Sequence, residues 1–339
     1  MTTLPRKTNS ITGPVGGSTS RRSFLRYAGG AFGGLALGAG ISGCAAPEKP
    51  VRIGSNVWPG YEFLYVARDG GFFSGNLVRM VELASATACI QGLASGSLDG
   101  ACLTLDETLT AISSGQSLKV IAVLDISHGA DVLLARPEIG RLADLRGKKI
   151  GLEQSAVGAV LLDAALRNGG LSPNEVTLVH LGIEAHALAY TSGKVDALVT
   201  FEPVVTQLKA QKAVRLFDSA QIPGRILDVL AVRSEVAAAN PAALRSLVAG
   251  HFRAREYFEK FPQASHAIIS RRLKVAPGEV PGTYEGLQLP NVQENRAWLS
   301  GAKNRLETSA ATLQKVMLEA ALLPKPVEVS RLSDDRFLP

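Results

Sequence analysis

The chain has 339 residues, a formal charge of +6 and 46% hydrophobic residues, enough to bury cores for two modest domains. Residues 1–43 hold Arg6, Lys7, Arg21, Arg22 and Arg26 and no acid, so they supply +5 of that charge, and the basic balance is no argument for a nucleic-acid partner. Five scattered histidines without ligand spacing argue against a metal site, no cofactor is expected, and beyond the leader no run reaches the roughly 18 apolar residues that span a bilayer.

The first elements are export signals. Ser20-Arg21-Arg22-Ser23-Phe24-Leu25-Arg26 resembles a twin-arginine motif, the small apolar run from Ala28 to Gly40 follows it, and Ile41-Ser42-Gly43-Cys44 resembles a bacterial lipobox. Residues 1–43 are therefore read as a cleaved signal peptide, Cys44 as a lipidated first residue and 44–50 as a linker. The plainer reading is a Gly/Ala-rich leader with a chance cysteine, but the two motifs stand in the right order. The expected location is the periplasm, held at a membrane by acyl chains; which membrane stays open. The glycines between Gly29 and Gly40 follow no strand and so form no phosphate loop. Cys89 and Cys102 remain, in apolar surroundings, as two buried thiols or a disulfide.

From Val51 onward, short β-branched runs alternate with helical patterns. Expected strands are Val51–Ser55, Val78–Leu83, Gly100–Thr104, Lys119–Leu124, Lys149–Glu153, Val176–Leu181, Ala197–Thr200, Val214–Phe217 and Val229–Val232. Gly169-Gly170 stops a helix that carries Val157, Val160 and Leu161. Asn240 and Pro241 read as a cap and first turn, and Ala302 to Leu322 as a further helix. The alternation predicts an α/β fold with mostly parallel sheets flanked by helices.

An internal echo predicts two lobes. Gly70-Gly71, Ser95-Gly96-Ser97-Leu98-Asp99 and Thr104-Leu105-Asp106 recur in order as Gly169-Gly170, Ser192-Gly193-Lys194-Val195-Asp196 and Thr200-Phe201-Glu202. Crossings near Asp125–Asp131 and Gly224–Asp228 give a first lobe of 51–127 plus 229–339 and a second of 128–228.

Trp58-Pro59-Gly60-Tyr61, Gly70-Gly71-Phe72-Phe73, Ser95-Gly96-x-Leu98-Asp99, Asp144-Leu145-Arg146-Gly147-Lys148-Lys149-Ile150-Gly151 and Phe201-Glu202-Pro203 together carry a family likeness. With them the chain resembles the nitrate/sulfonate/taurine/thiamine-pyrimidine group of ABC-transporter periplasmic solute-binding proteins. The resemblance implies a type II periplasmic-binding-protein fold, two lobes hinged by two crossings. It also implies a small-molecule solute, a permease with a cytoplasmic ATPase as partner, and a monomer.

In such folds ligands bind beyond the carboxyl ends of the strands. The turns there offer Asn56, Trp58, Tyr61, Glu62, Thr87, Thr104, Asp106, Glu107, Ser155, Glu184, His186 and Glu202 as candidate ligand-binding residues. Trp58 and Tyr61 would wall a planar or cationic solute, or else pack into the lobe. Ser85, Thr87 and Ser155 suit an anion at a helix start and suit ordinary capping equally. The acids, with Asp125, Asp131 and Glu153 among them, repel a bare sulfonate and accept N–H or O–H groups; first-turn acids are also commonly solvated. Asp106, Glu184 and Glu202 follow their strands most directly, and His186 reads as a ligand or a surface residue.

Binding without chemistry is the leading expectation, so the chain is read as no enzyme. The alternatives are a sensory binding protein for a membrane receptor and an enzyme like the pyrimidine synthase of a related fold. The cysteine-rich motif associated with that synthase is absent, and no Ser-His-Asp or Cys-His spacing stands out.

Overall fold

The computed structural model describes residues 49–153, 156–208 and 211–339. Cys44 with its leader, and Ser155, lie outside the described residues.

The chain starts with β1 (Val51–Ser55), α1 (Glu62–Asp69), β2 (Val78–Glu82), α2 (Ala86–Ala94), β3 (Gly100–Thr104), α3 (Leu105–Ser113) and β4 (Leu118–Ser127). It then crosses to β5 (Val132–Ala135), β6 (Lys149–Leu152), α4 (Ala156–Asn168), β7 (Thr177–His180), α5 (Ile183–Thr191), β8 (Ala197–Thr200), α6 (Val204–Leu208) and β9 (Val214–Asp218). A second crossing leads to β10 (Leu227–Arg233), α7 (Ser234–Ala239), α8 (Pro241–Lys260), α9 (Pro262–Leu273), β11 (Leu287–Gln288), α10 (Val292–Leu299) and α11 (Arg305–Glu319).

Two sheets result, in the orders β11-β4-β10-β3-β1-β2 and β7-β6-β8-β5-β9. Each has its own buried core. Every residue of β3 and β8 is buried, as strands covered by helices on both faces require. The sheets are more mixed than the mostly parallel arrangement expected. β1 is parallel to β2 and β3, and β6 to β7 and β8. β10 and β5, each the first strand after a crossing, run antiparallel to both neighbours. β5 is also a strand the periodicity does not announce, because Val-Leu-Leu-Ala is too short and too uniformly apolar to alternate.

The internal echo has a structural meaning. The Asp99 side chain accepts from the Arg52 N–H at 2.8 Å, and the Asp196 side chain accepts from the Lys149 N–H at 2.8 Å. In both lobes this acid therefore pins the first residues of the strand beside it. Gly96 and Gly193 before them sit at φ +71° and +80°, the left-handed region that glycine enters without steric cost.

The helical tail departs in detail from expectation. Pro241 does open α8, but Asn240 makes no side-chain cap bond. The last helix runs from Arg305 to Glu319, shorter than the run expected. Among the described residues no helix is long and apolar enough to cross a membrane.

The two crossings lie side by side. Ser127 Oγ and Ser219 Oγ are 2.7 Å apart, Ser219 Oγ accepts from the Gly129 N–H at 2.6 Å, and the Ser219 N–H donates to the Asp131 carbonyl at 2.9 Å. Both serines are buried, so the linking strands are fastened to each other where they leave the sheets.

Candidate functional site

Register explains which residues meet between the lobes. Asp228 at the start of β10 pairs with Thr104 at the end of β3 and with Asp125 near the end of β4. Val132 at the start of β5 pairs with Thr200 at the end of β8. An antiparallel strand thus brings its amino end to the edge where its neighbours bring their carboxyl ends. That edge therefore holds Asp131, already among the acids expected at the strand edges, and gains Asp228, which a search of strand carboxyl ends alone passes over.

These ends enclose a cavity of about 20 Å³. Asn56, Trp58, Tyr61, Thr104, Glu107 and Asp228 line it from the first lobe, and Asp131, Glu153, Val157 and Phe201 from the second. Trp58 is buried; its indole N–H donates to Asp125 Oδ2 at 3.0 Å, and its ring meets the edge of Phe201 at 5.2 Å and 88°. The Tyr61 hydroxyl donates to Asp228 Oδ1. The Thr104 N–H donates to Glu107 Oε2 at 2.9 Å at the start of α3.

Four carboxylates face this small space and, among the described residues, no Lys, Arg or His lines it. Burial pushes Asp131 up to about 6 and Glu153 up to about 7, and the Glu107 carboxylate adds to both. Burial and the Asp125 charge hold Asp228 well above the usual carboxylate range. Burial raises Asp125 as well, so these two buried carboxyls, paired across β4 and β10, titrate together. Asp131 Oδ2 and Glu153 Oε1 are buried without hydrogen-bond partners. The backbone N–H groups of Ala86 and Thr87, at the first turn of α2, reach the Glu153 carboxylate across the gap. A site of this kind can accept hydrogen bonds and stabilise positive charge. Among the described residues no group of three or more His, Cys, Asp or Glu is arranged to hold a metal ion.

The remaining candidates lie elsewhere. Glu62 is fully buried in an ion pair with Arg272 at 2.9 Å, inside the first lobe. Asp106 is buried behind Thr104 and Glu107 without lining the cavity, its carboxyl raised by burial. Thr87 borders a larger groove beside Glu153. Glu184 is exposed on a separate groove that also holds Glu82 and Arg272. His186 is a buried residue, not a surface one; its Nδ1 meets Thr200 Oγ1 at 3.1 Å, and burial lowers it to about 4. Glu202 accepts from the Thr206 N–H at 3.0 Å, at a cis bond to Pro203. Ser85 caps α2 by accepting from the Ala88 N–H at 3.1 Å. Cys89 and Cys102 are free, buried thiols that do not line the cavity.

Known proteins share this architecture. The alkanesulfonate-binding protein of Xanthomonas axonopodis pv. citri, solved bound to MOPS, aligns with a TM-score of 0.72 at 19% identity over 86% of this chain and 99% of that one. The desulfurization enzyme DSZB aligns with a TM-score of 0.60 at 17% identity over 86% of this chain and 98% of that one. The same two-lobed fold thus hosts binding proteins and an enzyme. In sequence, the chain is 25% identical over 251 residues to the taurine-binding periplasmic protein of Escherichia coli (strain K12), covering 71% of this chain and 78% of that protein. The model of the NMT1-like family matches residues 44–273, most of the folded chain, and the protein belongs to that family.

Proposed function

We propose that the protein is an extracytoplasmic solute-binding protein of an ABC import system, and that its solute presents an amine, an amidine-like ring edge or a comparable set of N–H donors. The observation that carries this reading is the interlobe cavity ringed by Glu107, Asp131, Glu153 and Asp228, with no cationic side chain among the described residues lining it. A bare nitrate or sulfonate would meet repulsion there; an ammonium or amidinium would meet acceptors already in place. Trp58, Tyr61 and Phe201 supply aromatic walls for a flat or cationic group. The cavity admits little more than a water-sized group, so a solute enters by parting the lobes at the paired crossings and is held when they close. Neither Cys89 nor Cys102 lines the cavity, and burial lifts the Cys89 thiol to about 12, which fits capture without covalent chemistry. The signal motifs and Cys44 fit twin-arginine export, acyl anchoring at a membrane and delivery of the solute to a permease.

Thermal-shift screening tests the reading with aminopyrimidines, alkylamines, taurine, ethanesulfonate and nitrate. Amine-bearing compounds should stabilise the protein, by about 2.7 kcal/mol at a hundred times the dissociation constant. Taurine, with its ammonium group, should outperform ethanesulfonate. Stabilisation by ethanesulfonate or nitrate alone, retained in Asp131→Asn and Glu153→Gln, would refute it.

A further inference from the structure

Glu153 lines two spaces. On one side is the carboxylate cavity; on the other is a groove of about 470 Å³ between the lobes. Its walls are mostly apolar, with Ile90 from α2, Leu162 and Leu166 from α4, Leu178 from β7 and Leu322 from the tail, and Asp163 and His180 stand among its polar members. Leu178 keeps 41% of its surface exposed, although it is a large aliphatic residue on a short edge strand. The groove has the size of a small-molecule pocket, whereas the cavity has room only for a head group. Glu153 stands at their junction, 5% exposed, with Oε1 unpartnered. One molecule can therefore place a donor group on Glu153 and leave an apolar body in the groove.

Resting on the function proposed above, we infer that the groove is the second half of the solute site, and that the solute is a cationic or amidine-like head joined to an aromatic or branched apolar body. Continuity through Glu153 is what commits the groove to the solute rather than to another protein. Groups without a body would hold only the carboxylate end. Anions of the same shape would fill the groove but meet Glu153 with like charge.

Calorimetric titration of the purified protein with benzamidine, acetamidine and p-toluenesulfonate separates the possibilities. Benzamidine should bind at least tenfold more tightly than acetamidine, about 1.4 kcal/mol in binding free energy. That ratio should fall to within threefold in Ala159→Phe, which fills the groove from α4, and should also fall in Leu178→Gln, on a half-exposed strand where folding tolerates the change. Equal affinities for the two amidines, or a ratio unmoved by both variants, would overturn the groove while leaving the carboxylate reading intact. Binding of p-toluenesulfonate in place of both amidines, or of no amidine at all, would overturn the inference and the reading beneath it.

Discussion

Replacing Glu153 by glutamine should strengthen the fold and weaken the site, in a pattern set by pH. Burial lifts this carboxyl from its ordinary 4.5 to about 7. Between those values the folded protein binds more protons than the unfolded chain, so stability is fully present below pH 4.5 and falls as pH rises toward 7. At about 1.4 kcal/mol for each pH unit, the loss reaches roughly 3 kcal/mol once the group is ionised. Glutamine keeps a carbonyl to accept from the Ala86 and Thr87 N–H groups and removes the buried charge. The variant should match the wild type near pH 4 and exceed it at pH 8 by several degrees of melting temperature, taking about 2–4 °C for each kcal/mol in a chain of this size. Solute binding should move the other way, with at least a tenfold loss for an amine-bearing probe at pH 8. Melting curves of both proteins from pH 4 to pH 8, without solute, decide the matter. A difference that is the same at both ends of the range would show that Glu153 carries no buried charge and would refute the reasoning.

A cationic probe should hold Asp131 and Glu153 ionised, so near pH 6.5 its binding should release protons and tighten as pH rises; calorimetry in buffers of different ionisation enthalpy reads this, and proton uptake would contradict it. Gly60→Ala would place a Cβ 1.7 Å from Asp125 Oδ2, and urea unfolding should show a loss of about 1–3 kcal/mol from the displacement of that buried carboxyl. Asp99→Ala should cost more than Asp196→Ala, since Asp99 also binds the Arg52 guanidinium at 2.7 and 2.8 Å while Asp196 meets the Lys149 N–H; equal unfolding midpoints would deny that difference. Arg272→Ala would strand the buried Glu62 and should cost about 3–5 kcal/mol, partly recovered by Glu62→Gln in the same chain.

Much of the fold was legible because its local signals agree. Gly54 shows why: an added Cβ would lie 2.4 Å from Leu98 Cδ1, and Leu98 belongs to the Ser-Gly-x-apolar-Asp motif that marks each lobe. Spacing alone therefore carried the repeat. The site was legible only in part. Trp58, Tyr61, Thr104 and Glu107 follow strands that end at the shared edge, and chain position locates them. Asp131 reads as an edge acid beside a crossing, but Asp228 stands at the beginning of an antiparallel strand, so its place depends on pairing direction, which no short window of sequence records. Glu62, Glu184 and Glu202 look like Glu107 from sequence, each an acid just beyond a strand. What separates them is rotation about a helix or a partner far along the chain, such as Arg272.

The position of β10 dictates an order of assembly. It lies between β3 and β4, which are neighbours in the chain but never touch in the sheet. Until residues 227–233 arrive, the amino-terminal half is left with a gap one strand wide through its centre. The other sheet draws only on residues 132–218 and is complete before then. A growing polypeptide therefore has the whole of its middle sheet before the centre of its first, and the strand that carries Asp228 to the ligand edge is the one that fills that gap.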